Sequence, residues 1–195
     1  MKIIGKDVLE NKFLNYGELC FYIIFISCFV ILTSIPVITI GVSLTAAYSC
    51  FEGIEKNDGS ITVKNLSYLY FRSFVKKVIP ATSITIWFLA MGYSIFRFIK
   101  LIDGNIYALA LLIFITIECV MFFQVIFFYL SKGDLTYIDT IIKSFSTANL
   151  KIDKMIILVL TMVLIILFVS FKAWVVILGV GFHVYINHNI LSKVT

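Results

Sequence analysis

The sequence predicts an all-α polytopic membrane protein with about six membrane segments, the first two forming a short Pro/Gly hairpin, and two amphipathic cytoplasmic helices. Of its 195 residues, 61% are hydrophobic and only 14% are charged, whereas about a quarter of the residues of a soluble domain are charged. The mean hydropathy is +1.05, and the apolar residues form runs of about 20, the length that crosses a bilayer. We treat residues 1–195 as one integral membrane domain.

The first apolar stretch, Leu19–Ile54, contains "IPVITIGVS" and is predicted to be a hairpin rather than one long helix. Pro36 removes a backbone donor and disfavours the α conformation at the residue before it, while Gly41 tolerates turn conformations. Thr39 and Ser43 carry hydroxyls that can cap the returning helix. Each arm has about 16 or 17 residues, near the lower limit for spanning, so a spanning hairpin and a re-entrant one both stay open.

Four further apolar segments follow the hairpin: Val78–Phe98, Ile106–Leu130, Met155–Phe171 and Trp174–Ile190. Lysine and arginine in short loops mark the cytoplasmic side of a membrane protein. With the first stretch as a hairpin, 13 of the 16 basic residues fall on one side, and only Arg97, Lys100 and Lys172 fall on the other. This asymmetry predicts a multi-pass protein with both termini in the cytoplasm.

Two inner loops contain segments with helical periodicity, each expected to run into the next membrane helix. In the first, one face carries Leu66, Tyr70, Phe74 and Val78, and the opposite face carries Lys64, Tyr68, Arg72 and Lys76. In the second, one face carries Ile138, Ile141, Ile142 and Phe145, and another carries Asp139, Lys143 and Ser146. At an offset of 71, Arg72-Ser73-Phe74 matches Lys143-Ser144-Phe145, and three matched positions are weak evidence for a repeat.

Two interpretations of these amphipathic helices stay open. They can lie in the headgroup region with their lysines toward anionic lipid. Alternatively, they dock a cytoplasmic partner such as an ATPase. In that case the docking candidates are Arg72, Phe74, Lys76, Lys143 and Phe145.

Among the polar side chains within the predicted membrane segments, those of Glu118, Gln124 and His183 and the "INHN" run from Ile186 to Asn189 stand out. Ionisable residues at membrane depth are costly and are therefore functional candidates. Glu118 lies about 12 residues into the fourth segment and His183 about 9 into the sixth, so the two could form a pair. Gln124 adds a polar group closer to the cytoplasm. The alternatives are hydrogen bonding between helices and a site for a substrate or a proton.

The sequence offers no catalytic, cofactor-binding or metal-ligating residues. It has no HExxH, GxSxG or P-loop motif and no paired carboxylates, and its four cysteines lack metal-ligand spacing. The net charge of +5 is explained by the cytoplasmic flanks of the membrane helices, so we expect no nucleic-acid partner. We expect a non-enzymatic protein whose surroundings are the lipid bilayer.

"IPVITIGVSLTAAY" (Ile35–Tyr48) resembles the hairpin signature of the YesL-like family, bacterial integral membrane proteins with a domain of unknown function. "YFRSFVKK" (Tyr70–Lys77), "TIIKSFSTAN" (Thr140–Asn149) and "GVGFHVYINHNI" (Gly179–Ile190) are similar to the family's more general patterns. Genes of that family often neighbour those of ATP-binding-cassette transporters for carbohydrates. The resemblance therefore implies a bacterial plasma-membrane protein with an accessory role in sugar import. It assigns no ligand residues, and His183 belongs to none of its motifs.

Two functions are compatible with these expectations. The first is a non-enzymatic accessory component of carbohydrate uptake, acting through its cytoplasmic helices on the permease or ATPase subunits of an ATP-binding-cassette transporter. The second is a substrate-binding membrane subunit of a small-molecule importer, similar to those of the energy-coupling-factor type. A cavity rimmed by Glu118, Gln124 and His183 would favour the second function, and a dry, well-packed core would favour the first.

Overall fold

The computed structural model describes residues 4–57, 61–100, 106–133, 136–171 and 175–193, and these are helical apart from short connections. In chain order, the helices in this part of the chain are α1 (Ile4–Thr33), a 3-10 turn (Val37–Thr39), α2 (Ile40–Lys56), α3 (Val63–Ile99), α4 (Ile106–Lys132), α5 (Tyr137–Leu150), α6 (Ile152–Phe171) and α7 (Val175–Ser192). The predicted all-helical class is confirmed for these residues.

Within the described residues, four helices are long and apolar enough to cross a membrane: Tyr16–Thr33, Val37–Lys56, Val63–Ile99 and Ile106–Lys132. The chain therefore has the features of a membrane protein, but the predicted count of about six segments is not confirmed. Helices α6 and α7 begin and end within three residues of the last two predicted segments, although neither is among those four.

The first apolar stretch forms two helices with a break around Pro36, as predicted. Pro36 is extended, with φ −74° and ψ 111°, and the 3-10 turn that follows leads directly into α2. Thr39 occupies the N-cap position of α2, but its side chain caps no N–H group of that helix. Its hydroxyl instead donates to the carbonyl oxygens of Thr33 and Pro36, and Ser43 donates to the carbonyl of Thr39. The predicted capping role of Thr39 and Ser43 is therefore wrong: their hydroxyls act as donors that tie the turn to its two helices.

Gly41 lies within α2 rather than in the turn, which corrects the predicted reason for a glycine at this position. A Cβ atom there would overlap the ring of Phe127 and the hydroxyl of Thr85. Gly41 is thus the point at which α2 comes into close contact with α3 and α4. Overlap of this kind cannot be relieved without moving a ring or a helix.

Helix α2 is the central element of the bundle, since it packs against α1, α3, α4 and α7. Its buried residues include several small ones, among them Ser43, Thr45, Ala46 and Ala47. Small side chains allow helices in a membrane to approach closely. The hydroxyl of Thr45 donates to the carbonyl of Gly41 in the same helix, so its burial leaves no polar group unpaired.

Helix α3 combines the first amphipathic segment with a membrane segment. Its 37 residues correspond to about 55 Å, well beyond the roughly 30 Å of a hydrocarbon core. Leu66 and Tyr70 are buried and Arg72 is exposed, so the predicted faces are confirmed there. Val78, on the predicted apolar face, is 37% exposed and lies next to the turn that contains Pro80.

Helix α5 differs from its prediction at its C-terminal end. It ends at Leu150, and Lys151 separates it from α6, so it does not continue as one helix. Its buried residues are Thr140, Ser144, Thr147 and Ala148, whereas Ile138, Ile142 and Phe145 are 60–67% exposed. The hydroxyls of Tyr129 on α4 and Thr147 lie 2.8 Å apart. The small polar face thus packs against the bundle, and the apolar face points outward.

Candidate functional site

A cavity of about 340 Å³ lies between α1, α2, α4, α6 and α7. Most of its wall is apolar, with contributions from Val30, Leu44, Phe127, Ile165 and Val184. A volume of this size falls within the range of small-molecule sites, about 300–1,000 Å³. We refer to this space as the central cavity.

Close packing between α7 and α1 positions part of the lining of the central cavity. At Gly181, a Cβ atom would overlap the hydroxyl of Ser27 and the carbonyl of Ile23 on α1, so α7 lies directly against α1. His183 and Asn187 then follow one turn apart on α7 and both line the cavity. Residues four apart on a helix share a face, which explains why the two side chains face the same space.

The polar side chains of α7 form a short hydrogen-bonded chain. The amide nitrogen of Asn187 lies 3.2 Å from the Tyr48 hydroxyl and 3.2 Å from His183 Nε2. His183 Nδ1 lies 3.5 Å from the hydroxyl of Thr161. If the amide donates both of its hydrogens, Nε2 is the acceptor and Nδ1 carries the ring proton. With this assignment, every side-chain nitrogen of Asn187 and His183 has a hydrogen-bond partner.

This arrangement leaves three polar atoms of the lining residues without a hydrogen-bond partner among the described residues. Among the described residues, the side-chain oxygens of Ser34, Gln124 and Asn187 are buried and have no hydrogen-bond partner. All three residues line the central cavity, and Asn187 and Gln124 are only 1% and 5% exposed. A buried polar atom without a partner costs about 1–3 kcal/mol. An apolar space lined by a small number of polar residues has the composition of a ligand site.

The structure brings together two of the three predicted intramembrane residues. Gln124 and His183 both line the central cavity, whereas Glu118 does not. Glu118 precedes Gln124 by six residues and therefore lies about 120° away around α4. No hydrogen bond or ion pair joins the described side chains of Glu118 and His183, because both ring nitrogens of His183 lie next to Thr161 and Asn187. The cavity rim expected from the sequence, formed by Glu118, Gln124 and His183, therefore lacks Glu118.

Two residues of the site, Ser34 and Tyr48, are absent from the sequence-based candidates, whereas Asn187 was noted only as part of the "INHN" run. One signal was available for Asn187, because it follows His183 by one helical turn. Ser34 lies two residues before Pro36, and serine is a common residue at a break of this kind. Nothing in the local sequence of Tyr48 indicates that it faces α7.

No charged side chain is among the described residues that line the central cavity. Outside it, His188 Nε2 lies 3.1 Å from Glu55 Oε2 and joins α7 to α2. No described cluster of histidine, cysteine, aspartate or glutamate side chains is arranged to hold a metal ion. The cavity therefore presents a neutral, mostly apolar surface.

The docking candidates have unequal surroundings. Arg72 and Lys76 are exposed on α3 and Lys143 is exposed on α5. Phe74 packs against the core, whereas Phe145 is 60% exposed. The two phenylalanines that match at an offset of 71 therefore play different parts, and the packing shows no repeat between the two segments.

Around its axis, α5 carries three kinds of surface, each about a third of the circumference at 3.6 residues per turn. The buried face is small and polar and includes Thr140 and Ser144. The exposed remainder divides into an apolar face, with Ile138 and Ile142, and a polar face that includes Lys143.

These features define an all-helical chain of the membrane-protein type with a neutral, partly open cavity between five of its helices. No protein-family model matches the chain, and no curated protein or solved structure matches it either. The resemblance to the YesL-like family consequently depends on the matched sequence segments alone.

Proposed function

We propose that this chain is a non-enzymatic, multi-pass membrane protein that holds a small molecule in the central cavity, as the substrate-binding membrane subunit of an importer does. The observation that carries this proposal is a mostly apolar cavity of about 340 Å³ whose lining includes five polar residues, Ser34, Tyr48, Gln124, His183 and Asn187. A protein that acts only through its cytoplasmic surface needs no such space. The presence of Gln124 and His183 in the wall supports the ligand-binding function over the accessory one.

The proposal includes six membrane segments in a bacterial plasma membrane, with both termini in the cytoplasm. The 20 residues of α6 and the 18 residues of α7 correspond to about 30 and 27 Å, close to the thickness of a hydrocarbon core. The distribution of basic residues supports the orientation, since 13 of 16 fall on one side. In this arrangement α5 lies in the inner interface, with its apolar face toward acyl chains and Lys143 toward the headgroups.

Cysteine labelling tests this arrangement at three neighbouring positions of α5. Ile142→Cys, Lys143→Cys and Ser144→Cys each place a thiol on a different face, and peptide mass spectrometry separates these sites from the native cysteines. With a charged maleimide, we expect Lys143→Cys to react only from the cytoplasmic side and the other two to stay unlabelled. Labelling of Lys143→Cys from outside the cell would contradict the orientation, and labelling of Ile142→Cys would contradict the interfacial position.

Ligand binding is tested by filling the cavity. Val180 lines the central cavity and is half-buried, so Val180→Phe reduces its volume. Val159→Phe is the matched control, because Val159 is half-buried on α6 but does not line the cavity. Small molecules extracted from the purified proteins are compared by mass spectrometry. We expect one species to be retained by the wild type and by Val159→Phe and to be lost from Val180→Phe. Identical extracts from all three would contradict the proposal.

The accessory function remains the second candidate, supported by the exposed basic face of α3 with Arg72 and Lys76. Its association with carbohydrate uptake follows from the resemblance alone. Replacing both residues with glutamate should release the ATPase or permease subunits of a transporter in co-purification. Arg97→Glu, at the other end of α3, is the control and should retain them. Equal recovery with all variants, or no recovery with the wild type, would reject this candidate.

A further inference from the structure

We infer that a groove between α3, α4 and α5 binds one acyl chain of an anionic phospholipid, whose headgroup lies at Lys76 and Lys77. We call this space the side groove, and it shares no described lining residue with the central cavity. The inference rests on the membrane arrangement proposed above and adds a lipid of stated charge as a partner. It follows from the lining of the groove, from the surface that borders it and from the charge at its cytoplasmic end.

The side groove offers a mostly apolar surface to a hydrocarbon chain. Its volume is about 340 Å³, and it is partly open. The described residues that line it are Ser83, Ile84 and Trp87 on α3, Phe122 and Ile126 on α4, and Tyr137 and Ile141 on α5. The hydroxyl of Ser83 donates to the carbonyl of Ile79 within α3. A hydrocarbon chain can therefore fill the groove without separating this hydroxyl from its partner.

The surface around the side groove is exposed and apolar. The side chains of Trp87 and Tyr137 are 53% and 45% exposed. The groove also borders the apolar face of α5, where the ring of Phe145 lies 6.4 Å from that of Phe122 in the groove wall. Exposed apolar surface that is continuous in this way indicates contact with a membrane. In the proposed arrangement the apolar face of α5 points toward acyl chains, so the groove opens onto the same layer of lipid.

Basic residues lie at the cytoplasmic end of the side groove. Lys76 precedes Ser83 by seven residues, and Lys77 precedes Ile84 by the same interval, so each lysine lies two turns away on the same face of α3. Two turns correspond to about 11 Å, which is less than the roughly 15 Å of one leaflet of the hydrocarbon core. A Cβ atom at Gly133 would lie 3.7 Å from Nζ of Lys77, so this ammonium group reaches the end of α4.

This placement fits a phospholipid with a net negative charge. With the chain in the side groove, the phosphate lies at the level of Lys76 and Lys77, and each lysine near the surface favours an anionic lipid by about fivefold. No acidic side chain is among the described residues that line the groove. Asp139 on α5 lies about 200° around the helix from Tyr137, where it accepts a hydrogen bond from the hydroxyl of Thr136. It therefore does not offset the charge of the two lysines.

Quenching of Trp87 fluorescence measures which lipid occupies the side groove. The chain has two tryptophans, so Trp174→Phe leaves Trp87 as the single reporter. This protein is reconstituted in phosphatidylcholine that contains increasing fractions of a lipid brominated in the middle of its chains, either phosphatidylglycerol or phosphatidylcholine. Bromine quenches tryptophan only at short range, so the two curves give the relative affinity of the two headgroups. We expect phosphatidylglycerol to be preferred by about tenfold or more, because two lysines contribute.

One pair of variants tests the contribution of the charge. In Lys76→Gln the preference for phosphatidylglycerol should fall by about fivefold, since one of the two lysines is lost. Lys64→Gln is the matched control, because Lys64 is also exposed on the cytoplasmic part of α3 but lies about 120° around the helix from Lys76. It should keep the full preference.

A second pair tests the groove itself. Ser83→Leu fills part of the side groove, so Trp87 should then report on bulk lipid and show a preference of about twofold or less. Ser94→Leu is the matched control. Both serines are exposed on α3 and donate to the carbonyl four residues earlier, but Ser94 lies outside the groove. Thermal unfolding verifies that each variant is folded, and Lys76→Gln tests the site independently because it changes only an exposed side chain.

The outcomes are separate from those of the proposed function. Equal quenching by the two headgroups would overturn the inference, and so would a preference that persists in Lys76→Gln or in Ser83→Leu. An equal loss in Lys64→Gln or in Ser94→Leu would show an effect of the whole surface and would also overturn it. None of these results changes the expected loss of a small molecule from Val180→Phe, because Val180 lines the central cavity and not the side groove.

Discussion

The hairpin of α1 and α2 has buried polar groups on two sides, and the two sides are built differently. On one side Thr33, Ser43 and Tyr70 form a hydroxyl cluster, with oxygens 2.7 and 2.8 Å from that of Thr33. On the other side Ser34, the next residue along the chain, lines the central cavity with Gln124. The side-chain oxygen of Ser34 has no hydrogen-bond partner among the described residues.

This difference distinguishes polar side chains that stabilise the fold from polar side chains that we expect to affect binding. Fully paired groups hold helices together in a membrane, where each contact contributes about 0.6–2 kcal/mol. Unpaired buried groups destabilise the fold and call for an explanation, and ligand binding is the explanation that the proposed function offers. We therefore expect substitutions in the hydroxyl cluster to change stability, and substitutions in the cavity wall to change binding.

The largest loss of stability is expected from a substitution at Gly41, because α2 packs closely against both Phe127 and Thr85 at this residue. Gly41→Leu should overlap Phe127, a cavity residue, and Thr85 of α3, and overpacking of this kind costs about 1–3 kcal/mol or more. Membrane expression and detergent-solubilised monodispersity measure the loss. Gly92→Leu is the control, because no atom lies within 4 Å of a Cβ at that position. Equal expression of the two variants would contradict the close packing of α2.

A smaller loss is expected within the hydroxyl cluster. Tyr70→Phe keeps the ring, which stacks 5.1 Å from that of Phe29, but removes one of the partners of the Thr33 hydroxyl, which keeps Ser43 and the carbonyl of Phe29. The free energy of unfolding should fall by about 0.5–1.5 kcal/mol, the net contribution of one hydrogen bond, measured by thermal or denaturant unfolding in detergent. Tyr93→Phe on the same helix, where Tyr93 is 63% exposed, should have little effect. A similar loss in both variants would remove the distinction between the cluster and the surface.

The opposite behaviour is expected in the cavity wall. Gln124→Leu removes a buried oxygen that has no partner among the described residues and replaces the amide with an apolar group of similar size. The free energy of unfolding should change by less than about 0.5 kcal/mol or should increase. The same unfolding measurement decides the point. A loss as large as that of Tyr70→Phe would mean that Gln124 belongs to the structural class.

The smallest expected effect is the coupling energy between Glu118 and His183, which should be close to zero. Glu118 lies outside the cavity wall and His183 is bonded within it, so the two should act independently. In a double-mutant cycle with Glu118→Leu and His183→Phe, the effects on stability should add within about 0.3–0.5 kcal/mol. A larger coupling would show that the two residues meet and would place Glu118 in the functional region.

The order and extent of the helices could be predicted well from the sequence. The break near Pro36 and the extents of α3, α4, α6 and α7 follow from runs of apolar residues and from the backbone chemistry of proline, both of which are local properties. The apolar face of α3 was also predicted correctly, because Leu66 and Tyr70 are large residues that pack against the core.

The packing of α5 could not be predicted in this way. Periodicity identifies the faces of a helix but not the environment of each face. In water the isoleucine face would be buried, but in a membrane it can face lipid while small residues such as Ser144 pack between helices. The sequence pattern is the same in both cases, so only the tertiary structure decides between them.

By itself, the sequence determined that this is an all-helical, membrane-type chain, that its first apolar stretch turns back at Pro36, and that Gln124 and His183 are polar residues in apolar surroundings. Only the tertiary structure decided that these two share a cavity with Ser34, Tyr48 and Asn187, and that Glu118 does not. The physical reason is that the wall is assembled from five helices whose lining residues lie up to 157 positions apart in the chain, from Val30 to Asn187. These helices meet through close contacts at Gly41 and Gly181.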